Sequence, residues 1–338
     1  MFKPTYRITP FLIACLEKIS SQKVFIEQLG KKSIIKMNVT MDSFNRSVHS
    51  STWIEGNMLS LAQVAALSAD RSVVAQEKQK LEVTNCIKAL RWILQNKKLN
   101  VTSQKLLTLH AMMTKGLLAK ARCGKYRSVQ NYIVNAKNQI IFAPIPPRQV
   151  NKSMNDLFLW LEQQREEHPI IRSAIFHHEF VGIHPFVDGN GRVARAASQW
   201  ILLNGGCDPI WTLELDEIFA KDRAKYYDMI QQTHEMDGDY THWIEYIAIG
   251  LLAAIETVAQ RLKGEQRKYK QVPLTPKQSE LLELLEKNGI LGSAQLCKLM
   301  NINRARVNQL IAPLVKAGIV TKEGTTRGAK YRIASNKL

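Results

Sequence analysis

Along most of this 338-residue chain, apolar side chains recur at three- and four-residue intervals, and that period commits the sequence to helices. The pattern holds over Phe11–Leu29, Leu61–Ala69, Gln76–Gln95, Ser103–Leu118, Val150–Glu166, Pro169–Val181, Arg192–Leu203, Asp222–Thr233 and Tyr240–Gly264. One stretch breaks it. "NYIVNAKNQIIF", Asn131–Phe142, places two β-branched runs around a polar turn, the signature of a small hairpin, and the prolines of "APIPPRQV" close it off. A mainly α fold with a small β-hairpin is expected.

Beyond Lys263 the character changes. "KGEQRKYKQVPLTPKQ", Lys263–Gln278, is basic and polar with two prolines and reads as a linker. A compact unit follows: a helix ending on Gly289, a short one capped by Ser293, and a third across Asn303–Ala317 ending on Gly318. Two strand-like pieces, "IVTKE" and "AKYRI", then flank the turn "GTTRG", which gives the layout of a C-terminal α+β winged helix-turn-helix with Asn303–Ala317 as recognition helix. Three regions are thus expected, at 1–100, 101–264 and 265–338.

Hydrophobic content of 45% with 22% charged residues excludes a disordered chain. Five scattered cysteines, odd in number and without CxxC spacing, suggest neither a disulfide framework nor a zinc site. The apolar start is too short for a signal peptide, and the richest apolar run, Tyr246–Ala259, falls short of a membrane span, so a cytoplasmic protein without a membrane partner is expected. The formal net charge is +18, and the last 74 residues hold 14 Lys and Arg against 5 Asp and Glu, hence +9. That tail is expected to meet DNA, or failing that a protein, with Arg304, Arg306, Arg327, Lys330 and Arg332 as phosphate contacts.

The densest chemistry lies in "HPFVDGNGRVAR", residues 184–195. Gly189-Asn190-Gly191 stands immediately before a helix, so backbone N–H groups can converge on an anion at its positive end. Arg192 and Arg195, three apart, share a helix face suited to successive phosphates. Asp188 is placed for an oxygen-ligated cation such as Mg2+. His184 can take up a proton near neutral pH. Base, metal ligand, anion cradle and charge clamp make up a phosphoryl or nucleotidyl transfer site, whereas Phe186 reads as an apolar anchor. Trp53, Trp160, Trp200 and Trp243 fall at apolar helix positions and are expected in the core.

This segment resembles, without departure, the signature HPFx[D/E]GNGRxxR of the Fic family, and "AIFHHEFVGIHPF", "GKYRSVQNYIV" and "RAKYYDMI" extend the likeness over roughly Tyr6–Leu262. The resemblance implies a helical core that transfers AMP from ATP to a protein hydroxyl. On it, His184 would be the general base, Asp188 would hold Mg2+ against the α- and β-phosphates, and Gly189, Asn190 and Gly191 would cradle the α-phosphate. Arg192 would steady the phosphates and Arg195 would bind the γ-phosphate. The hairpin, with Tyr132 and Ile133, would be a flap that aligns a target segment, and Tyr227 and His234 would meet the nucleoside.

"SSTWIEGN" contains Ser51, Glu55 and Gly56 in a pattern that resembles the family's inhibitory motif [S/T]xxxE[G/N]. A carboxylate brought to Arg195 would occupy the place of the γ-phosphate. The competing expectation is a DNA-binding regulator whose core merely senses nucleotide; His184, which a sensor does not need, favours the enzyme. Removal of AMP assisted by Glu55, and a homodimer, are left open.

Overall fold

The computed structural model describes residues 2–29, 33–134, 137, 139–236, 238–270, 274–324 and 328–333. The chain divides into two compact units, one of Met1–Gln22 with Ser43–Glu256, the other of Lys23–Asp42 with Thr257–Leu338.

The first unit is helical. In chain order run α1 (Pro10–Leu29), α2 (Ser33–Ile54), α3 (Leu61–Ser68), α4 (Glu77–Gln95) and α5 (Ser103–Thr114). The hairpin of β1 (Ile133–Val134) and β2 (Ile140–Phe142) follows, paired antiparallel with Ile133 opposite Phe142. Then come α6 (Pro147–Gln163), α7 (Pro169–Ile183), α8 (Asn190–Asn204), α9 (Pro209–Thr212), α10 (Leu215–Lys221), α11 (Arg223–Glu235) and α12 (Thr241–Lys270). Helices α1, α2 and α12 contribute residues to both units.

The pair α7 and α8 forms the centre, because both are buried almost all round. Phe176, Phe180 and Ile183 on one helix and Val193, Trp200 and Ile201 on the other are at most 2% exposed. Burial of each such side chain contributes roughly 1.5–3 kcal/mol. Small residues, Ala194, Ala197 and Ser198, allow close approach, and Ser173 Oγ donates to Ser198 O at 2.9 Å. Helix α7 starts at Pro169, after His168 whose Nδ1 accepts from Ile170 N, and ends where His184 turns left-handed with φ 50°. His184 is therefore the residue that stops the central helix.

Helix α2 has no counterpart in the expected pattern. Its buried residues in the first unit include Ser43, Ser47, Ser50, Ser51 and Thr52 beside Phe44, Val48 and Ile54, so hydroxyls share its inner face with apolar side chains. Trp53, expected in the core, is 37% exposed, since α2 turns those hydroxyls inward instead, while Trp160, Trp200 and Trp243 are buried.

In the second unit, α13 (Pro276–Asn288), α14 (Ser293–Met300) and α15 (Arg304–Lys316) pack with a three-stranded antiparallel sheet. Its order is β3 (Leu291–Gly292), β5 (Lys330–Ile333), β4 (Val320–Glu323), so β3 adds a strand to the two expected. Leu281, Leu285, Leu296, Val307, Leu310 and Leu314 fill the core. Two expectations change. The linker read from Lys263 is helical as far as Lys270, because the one glycine in it, Gly264, costs a helix only about 1 kcal/mol and the first proline is Pro273. The cap of α14 is Gly292, whose N–H donates to Gln295 Oε1, and Ser293 is already the first helical residue.

One helix stretch, Thr241–Glu265, has the length and apolar composition to cross a bilayer, contrary to the shorter run counted in the sequence. In the first unit its Trp243, Ile244, Leu251 and Ile255 are fully buried, and Trp243 Nε1 donates to Ala174 O at 2.7 Å. Those residues are spent on the protein core.

Candidate active site at the junction of two central helices

His184 caps α7, and the loop from Pro185 leads straight into α8. Arg127 fixes that junction. Its backbone N–H donates to Pro185 O at 2.8 Å, its Nε to His184 O at 2.8 Å, and its guanidinium to Val129 O, Ile145 O and Ile183 O. One buried side chain thus ties the histidine's backbone to both ends of the hairpin segment.

The ring of His184 sets its Nδ1 3.3 Å from Val181 O. A carbonyl only accepts, so Nδ1 carries the hydrogen and Nε2 holds the lone pair. Burial pushes the pKa below the ordinary histidine value and the Arg127 charge adds to this, against the Val181 hydrogen bond. The imidazole is neutral at pH 7, as a base must be.

The loop is braced from within. Asn190 Oδ1 accepts from Phe186 N and Asn190 Nδ2 donates to Phe186 O, both at 2.8 Å, while Phe186 itself is fully buried. Asn190 therefore offers an anion its backbone N–H and keeps its side chain for the loop. Gly189 adopts φ 85°, which glycine alone takes without strain. Asp188 Oδ1 accepts from Gly189 N at 2.6 Å on an otherwise exposed carboxylate. The first N–H groups of α8 have no partner within the helix and face outward from its positive end.

Below the loop lies His110, buried on α5. Its Nδ1 accepts from Gly124 N at 2.8 Å, so Nε2–H donates to Asp188 O at 3.1 Å. The ring stacks on Phe186 with centroids 3.7 Å apart, and burial lowers its pKa to about 4. It stays neutral and supports the loop as a fixed donor.

Both arginines are occupied. Arg195, 1% exposed, donates from Nη2 to Glu55 Oε1 at 2.7 Å and to Ser51 O at 2.9 Å, and from Nε to Ser51 Oγ at 3.0 Å. Burial works against the guanidinium charge, but Glu55, then Tyr226 and the buried Asp216, overrule it and raise the pKa. Arg192 Nη1 lies 2.6 Å from Glu82 Oε1 on α4, and Arg192 Nη2 lies 3.4 Å from Asp188 Oδ1. Gly191 faces Glu55 so closely that a Cβ would overlap Oε1 and stand 3.1 Å from Arg195 Nη1.

Residues 100–202, which hold this loop and both its arginines, match the Fic/DOC family. The match to a Fic domain spans 100–202 of the chain's 338 residues. The chain is 27% identical over 240 residues to the protein adenylyltransferase Fic of Nematostella vectensis, covering 69% of this chain and 53% of that one. It is 28% identical over 289 residues to protein adenylyltransferase fic-1 of Caenorhabditis elegans, covering 77% and 54%. The chain spans about half the length of the curated relatives it matches. Among solved structures, a Fic family protein from Desulfovibrio desulfuricans G20 superposes over 100% of both chains with TM-score 0.67 at 24% identity. Fic-1 from C. elegans covers 74% of this chain and 72% of its own with TM-score 0.59 at 23% identity. At those identities the likeness is one of fold.

The matched segment and the N-terminal helices therefore bring His184, Asp188, Gly189, Asn190, Gly191, Arg192 and Arg195 together with Ser51, Glu55 and Gly56. The remaining predicted positions lie further out. Tyr132 is 55% exposed and Ile133 half-buried on β1. Tyr227 is half-exposed with Arg223 over its ring. His234 stacks on Phe142 of β2 at 5.0 Å and packs against Gly182 of α7. In the second unit Arg304, Arg306 and Lys330 are exposed, Arg332 pairs with Glu323 at 2.8 Å, and Arg327 lies outside the described residues. Sequence reasoning missed Arg127, His110, Asn57 and Glu82. Arg127 stands within a segment whose likeness to the family was visible, but nothing in its spacing foretold bonds to backbone carbonyls.

Proposed function

We propose that this protein transfers AMP from ATP to a Ser, Thr or Tyr hydroxyl of a target protein, and that Glu55 holds the reaction back. The observation that carries the reading is the placement of His184, with its Nε2 lone pair free, one loop away from a helix N-terminus that ends in the buried Arg195. Adenylyltransferase is also the activity for which the curated relatives are named.

In this mechanism the target hydroxyl attacks the α-phosphorus and its proton passes to His184 Nε2. The bond from the α-phosphorus to the bridging oxygen breaks, and pyrophosphate leaves. The N–H groups at the start of α8 receive the charge that develops on the α-phosphate oxygens. Arg195, released from Glu55, takes the γ-phosphate. Among the described residues no group of three His, Cys, Asp or Glu gathers to hold a metal alone. The single exposed carboxylate of Asp188 fits a Mg2+ that draws its other ligands from phosphates and water. Asp188 would hold that ion, which would offset phosphate charge. The hairpin edge, with Ile140 and Ile141 more than half exposed, offers a strand on which a target segment can align.

ATP labelled on the α-phosphate is expected to label protein, and ATP labelled on the γ-phosphate is not. Transfer of the γ-label would replace nucleotidyl by phosphate transfer. The sign of the pH dependence follows from His184. Because its pKa is lowered, the basic form persists from high pH downward and is lost only below about pH 6.5, so the rate stays flat above pH 7. A rate that keeps climbing between pH 7 and 8.5 would remove His184 from the role of base.

For the second unit we propose duplex DNA as partner of a winged helix-turn-helix. From Asn301 to Lys322 the sequence holds Arg304, Arg306, Lys316 and Lys322 and no acid, and α15 exposes Asn308 and Gln309 beside the arginines. Arg304→Ala with Arg306→Ala is expected to weaken binding and flatten the slope of log affinity against log salt by about 2. Binding that does not respond to salt would direct the unit to a protein partner instead.

A further inference from the structure

The turn that presents Glu55 is held down at a point no inhibitory pattern includes. Immediately after Gly56, the Asn57 side chain is 2% exposed and fully engaged. Its Nδ2 donates to Glu82 Oε2 at 2.8 Å and to Gln79 O at 3.1 Å, and its Oδ1 accepts from Leu59 N at 3.1 Å. Glu82 spends its other oxygen on Arg192, at 2.6 Å. One carboxylate on α4 therefore grips the inhibitory turn with one oxygen and the first signature arginine with the other.

We infer that Asn57 and Glu82 form a latch that positions Glu55 against Arg195, and that Glu82 sets the register between the inhibitory turn and the anion loop. The inference rests on the proposed restraint by Glu55. Three features carry it. Glu55 follows the last residue of α2 and is 28% exposed at its side chain, so its reach to Arg195 depends on what anchors the residues after it. Gly56, at φ 95°, makes the chain reverse there, and Asn57 supplies the first side chain fixed to another helix. The bond that Glu82 accepts from Asn57 is charge-assisted, and the ion pair of the same carboxylate with Arg192 is shielded, with the two side chains 18% and 5% exposed. Asn57 makes no bond of its own to the loop or the arginines, so its direct hold is on the turn that carries Glu55. Glu82 acts on both limbs.

The difference between the two residues supplies the test, which measures incorporation of α-labelled AMP in four proteins: native, Asn57→Ala, Glu55→Gly and the double variant. With Glu55 present, Asn57→Ala is expected to raise the rate on the order of tenfold, the scale of one hydrogen bond to a charged group. In the Glu55→Gly background it is expected to change the rate less than twofold. A rise in both backgrounds, or in neither while Glu55→Gly alone is activated, overturns the latch and leaves the restraint by Glu55 standing. No activation by Glu55→Gly overturns the restraint itself.

Asn57→Asp guards against misfolding. It keeps the size and the acceptor for Leu59 N, turns a second carboxylate toward Glu82, and is expected to release the restraint as Asn57→Ala does. If Asn57→Asp folds and stays restrained, the latch is refuted. Glu82→Gln completes the set. Asn57 and Arg192 meet different oxygens of Glu82, and an amide turns an NH2 toward one of them, so this variant is expected to raise KM for ATP in both backgrounds and kcat only where Glu55 is present. An unchanged KM in the Glu55→Gly background would show that Glu82 does not position Arg192.

Discussion

Glu55→Gly protein, purified and supplied with α-labelled ATP, is expected to incorporate AMP at least about tenfold faster than the native chain. The carboxylate makes a 2.7 Å bond to Arg195, and a hydrogen bond between charged groups contributes roughly 1.5–3 kcal/mol, which corresponds to about 10- to 100-fold in occupancy of the arginine. Its removal does not strand the buried guanidinium. Ser51 still accepts twice from Arg195, and Asp216, whose pKa burial pushes up to about 6, remains ionised at pH 7 in the same field. The variant should therefore fold and expose Arg195 to a γ-phosphate. Glu55→Gln, which keeps the shape and drops the charge, should move in the same direction by a smaller factor. Equal rates for native and Glu55→Gly protein would end the claim of restraint.

His184→Ala, made in the Glu55→Gly background, is expected to lower transfer about 10²- to 10⁴-fold, the usual contribution of a positioned base. ATP affinity should hold, because the amide nest of α8 and Arg195 owe nothing to the imidazole. Position 184 has a left-handed backbone, which costs an alanine roughly 1–2 kcal/mol. Asn tolerates that conformation, so His184→Asn serves as the second variant and should be as slow. A loss of only a few-fold in both, or a matching loss of ATP binding, would assign His184 to loop structure rather than to proton transfer.

The two ends of the Glu55–Arg195 pair were legible because each lies in a contiguous pattern, and elementary charge complementarity joins them across 140 positions. The helical core was legible for a similar reason, since α4, α6, α7 and α12 carry apolar residues at regular intervals. Helix α2 was not. Its inner face sets Phe44, Val48 and Ile54 among serines and a threonine that bond to Gln199, Asp216 and Arg195 or to their own helix, and those hydroxyls interrupt the hydrophobic period. Arg127 and His110 escaped for another reason. Both serve the loop through backbone carbonyls, and a carbonyl leaves no trace in sequence. Asn57 and Glu82 meet only because α4 returns beside the turn, a tertiary fact that spacing along the chain does not encode.

Gly191 carries a consequence for how this protein can change. The Glu55 carboxylate lies against its bare Cα, and in the proposed mechanism phosphate would approach the same face, so any side chain there would displace both. Selection for unregulated activity can therefore find no solution at that glycine. Hyperactive alleles, if selected, should fall in residues 51–57 and behave as dominant, whereas alleles at 189–191 should be recessive losses, so that the genetic map of the site would separate its brake from its engine although the two share one surface.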